Sequence, residues 1–115
     1  MNNSIPVALQ SPRVDNNGQI HWYEGDTFTL KFTITFVDIN GKEIPIQPTD
    51  VITIVFKNMY QAIIQEFEVI GTNEIEMIFD ETISNKFKQG RYKYTAKLNN
   101  GWIKTFINNN VILVE

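Results

Sequence analysis

The 115-residue chain contains no cysteine, one histidine, four leucines and four prolines. Without cysteine it can form no disulfide, no thiol nucleophile and no thiolate-bound zinc or iron–sulfur centre. With a single histidine, any triad or imidazole acid–base pair must use His21. That residue lies in Gln19-Ile-His-Trp-Tyr23, which reads as a strand with mixed faces, and His21 is expected to be an ordinary strand or surface residue. The serines are Ser4, Ser11 and Ser84, and none sits in a glycine-flanked elbow. Long apolar runs are missing too. The longest, Val111-Ile-Leu-Val114, is four residues and far too short to cross a bilayer. There is no excess of positive charge: ten basic against 13 acidic residues give a net charge of −3. Such a balance offers no global attraction to nucleic acid or to an anionic membrane. The opening Met1-Asn-Asn-Ser4 lacks the charged and apolar regions of a signal peptide, so synthesis in the cytoplasm is expected.

What is present points to strands. Isoleucine occurs 17 times, threonine ten and phenylalanine eight. β-Branched and aromatic side chains fit a pleated, half-buried surface and lose rotamer freedom in a helix. The 13 asparagines suit turns. One domain is expected from the length.

From Thr27 to Val37 the chain alternates with period two. Phe28, Leu30, Phe32, Ile34 and Phe36 share one face, and threonines and Lys31 share the other. That pattern predicts a long strand with one side in the core. Asp38-Ile-Asn-Gly41 reads as a turn. A strand follows from Val51 to Lys57, with Ile52, Ile54 and Phe56 inward. Strands from Ile63 to Ile70 and from Glu74 to Phe79 flank Gly71-Thr-Asn73, which reads as a hairpin loop. Arg91 to Leu98 places Tyr92, Tyr94, Ala96 and Leu98 on one face. Asn99-Asn-Gly101 and Asn108-Asn-Asn110 read as two further turns, the second leading into Val111 to Val114. Earlier, a strand is expected near Ile5 to Leu9 and a turn at Asn16-Asn-Gly18. Between Glu81 and Gln89 the spacing of Ile83 and Phe87 predicts one or two helical turns, capped by Asp80 and stopped at Gly90. This helix is expected to bridge strands of different sheets.

The expected fold is therefore an all-β, immunoglobulin-like antiparallel β-sandwich of seven to nine strands with one short helix near residues 81–89. Tyr92 is the candidate for a corner tyrosine, whose hydroxyl ties the connection back to the backbone.

Three groups of side chains invite a functional reading. Glu66 and Glu68 share a face of one strand, and Glu74 and Glu76 share a face of the next. Paired across Gly71 they would form an acidic patch. It reads as a solvated edge that discourages sheet-to-sheet aggregation, with a calcium or basic-partner site as the alternative. Trp22, Tyr23 and Trp102 offer a possible binding surface for sugars or a protein, set against plain core or rim packing. Arg91, Lys93 and Lys97 read as a solvated strand face. No catalytic residue, metal site or cofactor is expected.

The run Tyr23-Glu-Gly-Asp26, the alternating strand Phe28 to Phe36, Asp38-Ile-Asn-Gly41 and the strand Val51 to Lys57 together resemble the N-terminal immunoglobulin-like domain of bacteriophage baseplate upper proteins. Gly90-Arg-Tyr-Lys-Tyr94, Asn99-Asn-Gly101 and the final isoleucine-rich strand extend the resemblance over about residues 20–114. It implies a non-enzymatic structural or assembly module that docks onto other protein subunits, as a homo-oligomer or within a phage particle, with neither nucleic acid nor membrane as partner. The alternative expectation is a carbohydrate- or surface-binding sandwich.

Overall fold

A computed structural model describes residues 4–6, 11–16 and 19–115. Ten strands and one helix follow in chain order: β1 (Arg13–Val14), β2 (Ile20–Trp22), β3 (Phe28–Thr33), β4 (Phe36–Val37), β5 (Glu43–Ile44), β6 (Val51–Asn58), β7 (Ile63–Ile70), β8 (Glu74–Phe79), α1 (Glu81–Ser84), β9 (Gly90–Asn99) and β10 (Ile103–Val114). The fold is all-β and sandwich-like. Six strands form one sheet in the order β1-β2-β10-β9-β6-β7, and two two-stranded sheets, β3-β8 and β4-β5, complete it. The strand expected near Ile5 to Leu9 and the turn at Asn16 to Gly18 fall partly on residues 7–10 and 17–18, outside the described set.

Period-two alternation builds the core as the sequence dictates. Ile52, Ile54 and Phe56 of β6 are buried, as are Tyr92, Tyr94, Ala96 and Leu98 of β9 and Ile112 and Val114 of β10. Register keeps these residues on one face, with Ile54 opposite both Ala96 and Phe67. The facing β3-β8 sheet contributes Leu30, Ile75, Met77 and Phe79. Phe79 closes the two layers together, its ring 5.6 Å from Phe56 and 5.4 Å from both Trp22 and Phe67. Burying aromatic rings in such tilted clusters removes large apolar areas from water and adds favourable ring–ring electrostatics.

Four expectations are corrected in detail. The strand predicted over Thr27 to Val37 keeps its inward alternation but breaks after Thr33. There Ile34 turns to Asn73, accepting from its Nδ2 and donating to its carbonyl, both at 3.0 Å, and β4 pairs with β5 instead of β8. Next, β7 and β8 do not form a hairpin. β7 pairs with β6 and β8 with β3, so residues 71–73 carry the chain from one sheet to the other. Third, Asn108 to Asn110 is no turn. β10 runs through it with register shifts, and Asn109 takes φ +54 as a bulge, its N–H donating to Thr95 Oγ1 at 3.2 Å. Finally, one pair is parallel, β2 against β10, and the strands number ten because several are only two or three residues long.

The helix is shorter than expected. Asp80 caps it by accepting from Ile83 N at 2.9 Å, but it ends at Ser84 with Asn85 as C-cap, and Gly90 opens β9 instead of closing the helix. It does join strands of different sheets, β8 and β9. Tyr92 Oη donates to the Lys88 carbonyl at 2.7 Å. Burial raises the Tyr92 pKa, and the nearby Glu24 carboxylate adds to the rise.

Candidate functional site

The outer face of the six-stranded sheet carries a groove of 540 Å³. Its floor is set by strand register. Thr53 lies opposite Lys97, Val55 opposite Thr95, and Lys57 opposite Lys93. Each of these side chains alternates with a core residue, so each points outward. One wall comes from β10, through Ile103, Thr105 and the bulge at Asn108 and Asn109. Thr95 fixes that wall, since its hydroxyl meets Asn109 at both backbone and side chain. The other wall comes from Gln61 and Ile63, where Gln61 takes φ +68.

Charge on this face is segregated. Lys57 and Lys97 line the groove and Lys93 adjoins Lys57. Among the described residues none of the three forms an ion pair. Glu66 and Glu68 stand on neighbouring β7, opposite Val55 and Thr53, outside the lining. Glu74 and Glu76 belong to the other sheet, opposite Thr33 and Lys31. The predicted acidic patch is thus not assembled. Two glutamates face outward from one layer of the sandwich and two from the other, and all four are exposed.

The aromatic residues also part company. Trp22 is a core residue, 1% exposed, ringed by Phe28, Phe79 and Phe87. Tyr23 is 54% exposed directly after β2, and Trp102 is 77% exposed at the opposite end of β10. Val114 pairs with Trp22, so the length of β10, on the order of 30–40 Å, separates Trp102 from Tyr23. These three residues form no common surface.

A 270 Å³ cleft lies between the β4-β5 hairpin and the tip of the β9-β10 hairpin, lined by Val37, Ile44, Leu98, Asn100 and Phe106 among others. Val37 and Ile44 on its lining are exposed, and so are Ile39 and Trp102 in the turns of the two hairpins, Ile39 completely.

His21 is more engaged than its sequence context suggests. It is buried on β2, with Nε2 2.9 Å from Asp15 Oδ2 and Nδ1 3.4 Å from Glu115 Oε1. Arg13 reaches the same Glu115 oxygen at 3.2 Å. Both ring nitrogens therefore face carboxylates. Among the described residues no serine hydroxyl approaches the ring, and Ser84 donates to the Asp26 carbonyl instead. The arrangement clamps β1 and residue 115 to β2. No group of three or more His, Asp or Glu side chains among the described residues is placed to hold a metal ion, and no helix among them is long and apolar enough to cross a membrane.

Sequence reasoning missed the groove and the clamp. The groove needs three strands in register, and the clamp joins residues 94 positions apart. Only the Lys93–Lys97 spacing hinted at the first. Comparison of the chain with protein-family models, with curated proteins and with solved structures finds no match to any of them.

Proposed function

We propose that this chain is a non-enzymatic structural or assembly module of the phage tail or baseplate type, built on an immunoglobulin-like sandwich and acting through protein–protein contact. The immunoglobulin-like reading draws support from the strand order β2-β10-β9-β6-β7 facing β3-β8, and from the Tyr92–Lys88 corner. The non-enzymatic reading draws support from the dispersal of the carboxylates and from the engagement of both His21 nitrogens.

One observation carries the assembly role. The two hairpins that line the cleft expose Val37 and Ile44 on its lining, and Ile39 and Trp102 in their turns. Contiguous apolar surface on a folded domain marks an interaction site, because leaving it in water is unfavourable. Free ladder edges add to it. Among the described residues β7 has one partner, and β10 pairs with β2 only over Ile112–Val114, leaving its first half open on that side. Val111 to Val114, by contrast, is interior to the sheet for most of its length.

Light scattering across a concentration series tests the reading. Self-association weakened in the double variant Ile39→Ser, Trp102→Ser supports it. A monomer at every concentration, in a chain that also captures no tail or baseplate subunit, overturns it.

A further inference from the structure

We propose that the outer-face groove binds a short acidic oligosaccharide, with Lys57 and Lys97 meeting uronate carboxylates and the threonine and asparagine side chains meeting sugar hydroxyls. The proposal is independent of the assembly reading: of the groove's lining, only Thr105 also lines the apolar cleft.

Several observations converge on that ligand class. The groove's 540 Å³ falls within the roughly 300–1,000 Å³ typical of small-ligand sites. Its two ammonium groups have no carboxylate partner among the described residues, and no acidic side chain lines it. Like charges held opposite one another, as Lys57 and Lys93 are, disfavour the empty sheet. An anion relieves that repulsion. Glu66 and Glu68 border the β6 side, which directs the anion toward β9 and β10.

The remaining lining distinguishes a sugar from a peptide. β6 and β9 are interior strands, so their backbone N–H and C=O groups are already spent in ladders. An extended peptide laid on this face would find no backbone partners for its own amides. Hydroxyl and amide side chains remain: Thr53, Thr95, Thr105, Asn99 and Asn108. These donate and accept at short range, as a polyhydroxylated ligand requires, while Val55 and Ile103 offer apolar contact to its C–H faces. Sulfate and phosphate esters are best met by arginine forks or helix N-termini. The groove has neither, and its two lysines act as separate point charges, so the singly charged carboxylate is the anion we assign to it.

Titration of the folded 15N-labelled chain with trigalacturonate tests the site. The expected result is amide shifts confined to residues around Thr53, Thr95, Lys97 and Thr105, with affinity falling as salt rises. Lys97→Gln should weaken binding about tenfold, the usual loss on removing one charged partner. Lys57→Gln should do the same, while the spectrum of each free variant reports that it has folded. Absence of shifts at millimolar trigalacturonate overturns the proposal. So does equal binding of neutral galactotriose, tighter binding of a sulfated disaccharide or of an oligoglutamate peptide, or indifference to both lysine substitutions.

Discussion

Tyr92 Oη donates a hydrogen bond to the Lys88 carbonyl, 2.7 Å away, so a side chain at the start of β9 holds the connection that leads into it. Glu24, just after β2, strengthens the same corner, its Oε1 accepting from Gln89 N at 2.8 Å. Tyr92→Phe removes only the hydroxyl. It should cost about 1 kcal/mol of unfolding free energy, measured by urea denaturation near neutral pH. An unchanged midpoint would show the corner to be decorative.

The same hydroxyl predicts an alkaline signature. Burial raises the Tyr92 pKa above 10.0, so the fold favours the neutral phenol, the form that can donate to Lys88. Its contribution is complete below pH 10 and is lost as pH rises through the higher folded value. Denaturation between pH 8 and pH 11 (a range set by that ordinary value) should therefore show a steeper alkaline loss in the parent chain than in Tyr92→Phe. Parallel curves would contradict it.

Gly71 and Gly25 separate two costs of adding a methyl group. Both have positive φ, +71 and +88. A Cβ at Gly71 would lie 2.8 Å from the Pro48 carbonyl oxygen, whereas at Gly25 it would meet nothing within 4 Å. Gly25→Ala should cost about 1–2 kcal/mol from backbone conformation alone. Gly71→Ala carries that penalty plus about 1–3 kcal/mol of overpacking. Thermal unfolding of the two variants side by side reads the difference, and equal losses would refute the close approach.

Asn109 is the residue that lets β10 bulge. Asn109→Val forces a β-branched side chain into a left-handed conformation and should cost about 1–2 kcal/mol. Asn109→Gly keeps the backbone free and should be nearly neutral. Amide shifts at Thr95 and Thr105 will report whether the valine variant moves the groove wall. If valine is tolerated with no shift there, the bulge is not where the structure puts it.

The two tryptophans should be spectroscopic opposites. Trp102→Phe leaves only buried Trp22, whose emission should be blue-shifted and poorly quenched by acrylamide. The parent chain should contain a second, red, readily quenched component from Trp102. A water-like spectrum from the folded Trp102→Phe chain would place Trp22 outside the core.

How much of this was readable in advance depended on how local the signal was. The inward faces of β3, β6 and β9 follow from neighbours two apart, and they emerged as drawn from Phe28, Ile52 and Tyr92 onward. Partnership did not. Ile63 to Ile70 and Glu74 to Phe79 each bury one face whether they pair together or lie in facing sheets, so alternation could not separate the cases. The glycine between them was read as a hairpin signal, yet the partners of its flanking strands make it a crossing between layers. Asparagine tolerance of left-handed backbone was recognised at residues 108–110, but the strand used it for a bulge. Trp22 and Trp102 share one chemistry, and only the tertiary fold assigns one to the core and the other to water.

The parallel contact of β2 with β10 has a mechanical meaning. Ile20, His21 and Trp22 pair with Ile112, Leu113 and Val114 while both strands run the same way. Tension drawing the segment before β2 away from the segment after β10 slides the two strands lengthwise past each other. Their hydrogen bonds are then strained together and cannot peel one at a time. Force applied along those two strands therefore loads the pair in shear, where many bonds must fail at once.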